Sequence, residues 1–280
     1  MNLLTDTSPD AQQVLDETYR RMTPARKWAI VADAYRFGRA LHASGVRLRQ
    51  PTATEADIRR DWIRLRFCDA PWLANGCDVI QQPAEHQRVI LEVLAAFERA
   101  GIVCAVGGSI ASSLHGIPRY TEDADLTAAP FPGREETLTR QFGPDFYVST
   151  EAVRQAVRDR SSFNIIHPAS GLKIDVFIHK IRPFDQNLLA RRITRTDLDP
   201  SGQPIAVLSA EDVLLLKLER FRLGGETSDR QWGDILGVLR VQGGRLDEAY
   251  LDRWAAELNV PDLLAKARTA AAPPPASPRP

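Results

Sequence analysis

The segment from Val106 to Leu126 reads VGGSIASSLHGIPRYTEDADL and combines a glycine pair with two closely spaced acids. It follows a short apolar run, Ile102 to Val106, that indicates a buried strand. Gly107 and Gly108 lead from that strand into a short helix, where bare backbone amides can approach a ligand closely. Ser109 would stand at the helix N-terminus, where the dipole favours phosphate oxygens. A glycine pair after a strand is also commonly only a tight turn, so the phosphate cradle depends on the acids that follow.

Three acidic side chains are predicted to share one side of a sheet. Asp123 and Asp125 stand two residues apart on a predicted strand, so their side chains project from the same face. Asp175 lies on a strand predicted over Leu172 to His179, whose alternating apolar residues turn it away from the core. Such carboxylates can hold one or two divalent ions, and two ions about 3.5–4 Å apart can clamp the oxygens of a phosphoryl transfer. The third acid can also accept the nucleophile's proton.

Other catalytic motifs are missing from the sequence. It has no Walker-type Gly-Lys-Ser/Thr run and no nucleophile elbow, which disfavours P-loop and α/β-hydrolase chemistry. The stretch from Asp197 to Gly202 opens like a calcium loop, but Leu208 stands where the bidentate Glu should be. We therefore expect a turn between two strands there.

Composition describes an ordinary globular chain of 280 residues, with 44% hydrophobic and 26% charged residues. The formal net charge of zero argues against a protein that binds nucleic acid mainly through a long electrostatic footprint. No apolar run reaches the roughly 18 residues of a membrane span, and the N-terminus lacks the order of a signal peptide. We therefore expect a cytoplasmic protein without membrane association.

Turn-forming residues and hydrophobic periodicity divide the chain into five parts. The predicted parts are a helical module (1–69), a linker (70–83), a mixed-sheet catalytic domain (84–208), a C-terminal helical subdomain (209–269) and a disordered tail (270–280). Alternating helix and strand signals from Glu85 onward, with helices at both ends, predict the α+β class. The Pro- and Ala-rich tail cannot bury enough surface to order itself.

Capping signals locate the N-terminal helices. Thr23 precedes a proline suited to the first helical turn, and Gly45 is expected to end the helix that begins there. Thr54 and Asp57 resemble a capping box at the start of the next helix.

Taken together, the glycine segment and the strand from Lys173 to Phe177 resemble the nucleotidyltransferase superfamily typified by DNA polymerase β. Within it, the chain is similar to the bacterial AbiEii-like and MenT-like toxin nucleotidyltransferases. The resemblance covers roughly residues 85–264 and rests on these positions: Gly107, Gly108, Ser109, His115, Gly116, Pro118, Arg119, Thr121, Asp123, Asp125, Leu126 and Asp175. It implies transfer of a nucleoside monophosphate from an NTP to an acceptor hydroxyl, with release of pyrophosphate.

The resemblance also implies roles for individual residues. Asp123, Asp125 and Asp175 would be the catalytic residues and the ligands of two Mg²⁺ ions, with Mn²⁺ as an alternative. The nucleotide, ATP among the candidates, would be bound by Gly107, Gly108, Ser109, Arg119 and Lys217.

Different roles are expected for four residues in or near these motifs. Arg119 either contacts the triphosphate or pins its loop by pairing with Glu122 or a metal-binding carboxylate, and these alternatives stay open. Lys217 belongs to a segment that looks like a family element contributing a lysine to the nucleotide. The role of Asp234 is open, because many AbiEii-like sequences carry a Lys-Asp pair before this acid, whereas the segment from Asp229 to Asp234 keeps only the last acid. His115 is expected to be a packing residue at a helix end.

The acceptor is not specified by these motifs. The resemblance favours a tRNA 3′ end in a toxin–antitoxin setting, with an antitoxin as partner. The alternatives are a protein or a small molecule such as an antibiotic, or a nucleotide-binding regulatory module without turnover. The family does not explain residues 1–80, which are expected to position an acceptor or a partner.

Overall fold

The computed structural model describes residues 9–67, 85–119, 121, 123–198 and 202–272. Its helices are α1 (Pro9–Arg21), α2 (Pro24–Arg49), α3 (Glu55–Phe67), α4 (Glu85–Arg99), α5 (Gly108–His115), α6 (Glu135–Thr139), α7 (Thr150–Asp159), α8 (Pro183–Ala190), α9 (Ala210–Leu223), α10 (Asp229–Gln242), α11 (Glu248–Glu257) and α12 (Pro261–Ala271). Its strands are β1 (Cys104–Val106), β2 (Asp123–Ala128), β3 (Tyr147–Val148), β4 (Ser162–His167), β5 (Leu172–Ile178), β6 (Ile193–Arg195) and β7 (Ile205–Val207). No helix in these ranges is long and apolar enough to cross a membrane.

One mixed sheet organises the centre of the molecule. Its seven strands run in the order β3-β4-β5-β2-β1-β7-β6. The pairs β2–β5 and β1–β7 are parallel, and the remaining neighbours are antiparallel. Helix α4 packs against β1 and β5, while α5 packs against β2. This mixed sheet with surrounding helices confirms the predicted α+β class.

Strand β5 shows why the third acid faces away from the core. Its burial alternates along the strand, and Ile174, Val176 and Ile178 are almost completely buried. Because side chains alternate across a strand, Asp175 projects from the opposite face, as the sequence predicts.

Caps define the N-terminal helices, with one departure from expectation. The Thr23 side chain accepts a hydrogen bond from the Arg26 amide, which confirms that cap. Thr54 and Asp57 form the reciprocal capping box, with distances of 2.9 Å from Thr54 N to Asp57 Oδ2 and 3.2 Å from Asp57 N to Thr54 Oγ1. The predicted end of α2 at Gly45 is wrong: the helix continues to Arg49 and buries the next side chain, Val46.

Helices also group at the C-terminal end. Helix α10 packs against α9 and α12, and α11 packs against α9. Helix α12 ends at Ala271, so residues 270 and 271, which the sequence assigned to the tail, are helical. The predicted linker at 70–83 and the tail beyond residue 272 lie outside the described residues, so the five-part division otherwise stays a prediction.

A buried histidine holds the turn between β4 and β5. His167 is 2% exposed, and its Nδ1 lies 2.9 Å from Ser170 Oγ and accepts from the Ser170 amide at 3.3 Å. Burial, reinforced by the charge of Arg88, lowers the pKa of His167 to about 4. The folded protein therefore holds this side chain neutral well below the pH at which an unfolded chain protonates it.

We expect this histidine to make the protein less stable in mild acid. The pKa of this side chain is about 4 in the folded protein and 6.5 in an unfolded chain. Between these two pH values the unfolded chain therefore binds one more proton than the folded protein. The free energy of unfolding then falls as pH drops from 6.5 towards 4, by about 2–3 kcal/mol. Urea unfolding of the wild type and His167→Gln at pH 7 and pH 4.5 measures the difference. Equal pH dependence in both proteins would contradict the assignment.

Candidate active site

Strand register brings the three predicted acids to adjoining positions. Asp125 on β2 is the direct partner of Asp175 on β5, and Asp123 is the partner of Lys173. Directly paired residues on neighbouring strands project to the same face, and so do residues two apart on one strand. The three carboxylates and the Lys173 ammonium therefore share one face of the sheet.

Asp175 is held by two neighbours that the sequence did not single out. The Lys173 Nζ atom lies 3.0 Å from Asp175 Oδ2, and the Asn164 amide donates to Oδ1. Burial by itself would lower the pKa of Lys173, but the hydrogen bond and charge of Asp175, with the charges of Asp123 and Asp125, outweigh it and raise the pKa. Lys173 thus remains a cation and offsets part of the repulsion among the acids.

The chemistry of these donors fits a divalent ion, although the side chains are not arranged around one. Among the described residues, no group of three or more His, Cys, Asp or Glu side chains is arranged so that it could hold a metal ion. Carboxylate oxygens are the donors that Mg²⁺ and Mn²⁺ prefer. Asp123 and Asp125 supply them from one face, whereas Asp175 would have to exchange its contacts with Lys173 and Asn164 to join as a third ligand.

The glycine turn lies against Asp125. The Gly107 amide donates to the Asp125 carbonyl at 2.9 Å, and the Ser109 amide lies 3.4 Å from Asp125 Oδ2. Gly108 has a φ of +52°, and a Cβ atom there would lie 1.8 Å from Asp125 Oδ2. Glycine is required at this position both for its backbone conformation and for the close approach of the carboxylate. The predicted phosphate cradle and the predicted metal-binding acids are therefore in direct contact.

Asp234 joins the two predicted nucleotide-binding cations. Arg119 makes a bidentate contact with it through one edge of its guanidinium, at 2.5 Å from Nε to Oδ1 and 2.7 Å from Nη2 to Oδ2. The Lys217 ammonium lies 2.7 Å from the same Oδ2, and Arg119 Nη2 also donates to Ser109 Oγ at 2.8 Å. Two roles were left open for Arg119, and the contact with Asp234 corresponds to the second of them, the fixing of its loop. Asp234, which is not one of the predicted metal-binding acids, is one partner of Arg119 among the described residues, and Glu122 lies outside them.

This network keeps Asp234 ionised although it is buried. Burial raises the pKa of the carboxyl, but the hydrogen bond from Arg119 and the charge of Lys217 outweigh that effect and lower the pKa below its usual range. Asp234 is 7% exposed and Lys217 is 5% exposed. A buried carboxylate with two cationic partners fixes both cations and, through Arg119, the hydroxyl of Ser109.

A cleft of about 330 Å³ opens beside Asp125. Its walls include Gly108 and Ser109 on one side and Lys217 and Arg220 of α9 on the other. The Arg220 guanidinium lies 4.3 Å from the Phe177 ring centroid, and its Nη1 lies 3.8 Å from Asp125 Oδ1. Sequence reasoning missed Arg220, although its position three residues after Lys217 places both on one side of a helix.

His115 has the packing role that the sequence predicts. Its Nε2 atom lies 2.8 Å from the Leu208 carbonyl oxygen, which ties the end of α5 to the chain just before α9. Burial lowers the pKa of His115, so the neutral ring is favoured.

Comparisons with known proteins give one partial family match and several distant structural likenesses. Residues 20–79 match the model of the Rv0078B-related antitoxin family, which is well under half of the chain. No curated protein matches. The solution structure of the antibiotic-resistance factor ANT(2″)-Ia is 13% identical, with a TM-score of 0.41, and the match covers 68% of this chain and 99% of that one.

Two further structures are similar at the same level. A nucleotidyltransferase-like protein from Paracoccidioides brasiliensis is 22% identical, with a TM-score of 0.42 and coverage of 67% of this chain and 94% of that one. ANT(2″)-Ia in complex with adenylyl-2″-tobramycin is 15% identical, with a TM-score of 0.40 and coverage of 62% and 97%. These neighbours are nucleotidyltransferases or resemble them, but a likeness this distant carries no argument about the activity of this chain. The support for an activity therefore comes from the geometry of the site.

Proposed function

We propose that this protein is a metal-dependent nucleotidyltransferase that moves a nucleoside monophosphate from an NTP to an acceptor hydroxyl. The observation that carries the proposal is the β2–β5 register, which pairs Asp125 with Asp175 and places Asp123 two residues along the same face. The neighbouring glycine turn and a cleft with cationic walls add places for a triphosphate.

Each group has a chemical task in this proposal. Asp123 and Asp125 would hold Mg²⁺, which when bound withdraws charge from the reacting phosphate. Lys217 and Arg220 bind the polyanionic triphosphate in the cleft, and Ser109 orients it. The acceptor oxygen forms a bond to the α-phosphorus while the bond from that phosphorus to the bridging oxygen breaks. The bonding electrons leave with pyrophosphate, and Asp175 takes the acceptor's proton.

For the acceptor we propose a tRNA 3′ end in a toxin–antitoxin setting. The sequence resemblance to toxin nucleotidyltransferases supports this acceptor. The match of residues 20–79 to an antitoxin-related family supports the setting and an antitoxin-like partner function within or beside this chain. A protein or a small molecule is the alternative acceptor.

A nucleotide-binding module without turnover is the second candidate function. The contacts of Asp175 with Lys173 and Asn164 favour it, because they occupy the carboxylate that would act as base. Binding of NTP without release of pyrophosphate is its signature.

The proposed activity is tested by incubating the purified protein with each α-³²P-labelled NTP, Mg²⁺ and a total cell extract. RNA and protein are then separated on different gels, pyrophosphate is measured, and parallel reactions contain Mn²⁺ or EDTA. We expect label on a small RNA and none with EDTA or with Asp125→Asn, the control for contaminating enzymes. Label on protein would reassign the acceptor. NTP binding with no label on RNA, protein or small molecules would reject the transferase in favour of the silent module.

A further inference from the structure

The first two helices lie on the helices that build the candidate site. Helix α2 packs against α5, which begins at Gly108, and α1 packs against α10, which carries Asp234. Trp28 of α2 is 7% exposed and belongs to the same hydrophobic core as Ile90 and Ile110. The N-terminal helices thus pack against two helices that carry residues of the candidate site.

The two acids of β2 line spaces of very different size. Asp125 lines the cleft of about 330 Å³ between the sheet and α9. Asp123 lines a space of only about 30 Å³, whose walls include Trp28, Val31 and Ala32 of α2. That space has room for roughly one or two water molecules. Among the described residues, the space beside Asp125 is therefore large enough for a triphosphate, whereas the space between Asp123 and α2 is too small for an acceptor group.

The contact between α2 and the rest of the protein contains polar groups that weaken it. Lys27 is 3% exposed, and its burial, together with the charge of Arg245, lowers its pKa to about 8. The docked helix therefore carries a buried ammonium group at neutral pH, which is unfavourable. The Trp28 Nε1 atom is buried with no hydrogen-bond partner among the described residues. Exposing these two groups to water would recover part of the free energy that separation of the helices costs.

We propose that α2 blocks the acceptor's entry to Asp123, so that the described arrangement admits an NTP but does not transfer its nucleotide. Release of α1 and α2 from α10 and α5 opens the Asp123 side, and the acceptor hydroxyl then enters where Trp28 now lies. The N-terminal helices act in this way as an inhibitor carried in the same chain. This inference rests on the proposed nucleotidyltransferase function.

The block is tested in the full-length protein with variants that change the α2 contact in opposite directions. Trp28→Ala removes a large side chain that fills the space beside Asp123, and Lys27→Met removes the buried charge. We expect Trp28→Ala to raise the transfer rate about tenfold, which corresponds to a tenfold larger released population, with an unchanged Kd for NTP. We expect Lys27→Met to lower the rate below that of the wild type. Phe37→Ala, on the same helix at 70% exposed, is the matched control and leaves the rate unchanged.

The outcomes separate this inference from the function on which it rests. If the wild type transfers nucleotide and a folded Trp28→Ala variant is no faster, the block is wrong while the transferase stands. If Trp28→Ala fails to fold, Lys27→Met decides, and a rate equal to or above the wild type overturns the block. If the wild type and the folded variants all bind NTP but release no pyrophosphate, the transferase and the block fall together.

Discussion

Replacing Asp125 by asparagine is expected to lower the rate of nucleotide transfer by at least about 10³-fold, because the change removes a negative charge that no neighbouring group replaces. Asp125 contacts the glycine turn, lines the cleft and is the direct cross-strand partner of Asp175. An amide oxygen can still accept the Ser109 amide, but it is a much weaker ligand for a divalent ion than a carboxylate.

The same change is expected to leave the fold intact. Asparagine has the size of aspartate, and Asp125 stands among like charges because Asp123 and Asp175 lie on the same face. Removing one of three neighbouring negative charges relieves repulsion, and the loss of attraction to Arg220 and Lys173 opposes that gain, so the melting temperature stays close to that of the wild type. Asp145→Asn, an exposed acid outside the site, is the matched control for transfer rate and stability. A folded Asp125→Asn variant with wild-type rate would remove this residue from the catalytic centre.

Local patterns made one part of the site predictable. The two-residue period of a strand is enough to place Asp123 and Asp125 on one face, and the alternating apolar residues of β5 are enough to turn Asp175 outward. Capping chemistry likewise predicted the starts at Thr23 and Thr54, because a cap depends on residues within three positions.

Contacts that depend on strand register or on packing between distant segments could not be predicted from the sequence. Asn164 meets Asp175 only because β4 and β5 pair in one particular register. Arg119 and Asp234 are separated by 115 positions, so their pairing requires α10 to dock beside the loop after α5. The same limit explains why the helix end predicted at Gly45 is wrong. The continuation of α2 depends on tertiary burial of Val46, which overrides a local stop signal.

Asp234→Ala is expected to destabilise the protein by about 3–5 kcal/mol, because it leaves two cations without their shared counter-ion in a buried site. Lys217 has a side chain 6% exposed and Arg119 one 25% exposed, so water replaces the lost carboxylate poorly. A loss of this size corresponds to a fall in melting temperature of roughly 10 °C. Asp229→Ala in the exposed first turn of the same helix is the control, with a cost of about 1 kcal/mol or less.

The network also predicts how Asp234→Ala affects nucleotide binding. Asp234 holds Lys217 at the wall of the cleft and, through Arg119, the hydroxyl of Ser109, so its loss frees these groups together. We expect the Kd for NTP, measured well below the melting temperature, to rise in Asp234→Ala. We expect a similar rise in Lys217→Met. Because both variants disrupt one unit, the double variant should be no weaker in binding than the worse single variant. Additive losses would show that Asp234 and Lys217 act on the nucleotide independently, and an unchanged Kd with the expected fall in stability would limit Asp234 to a structural role.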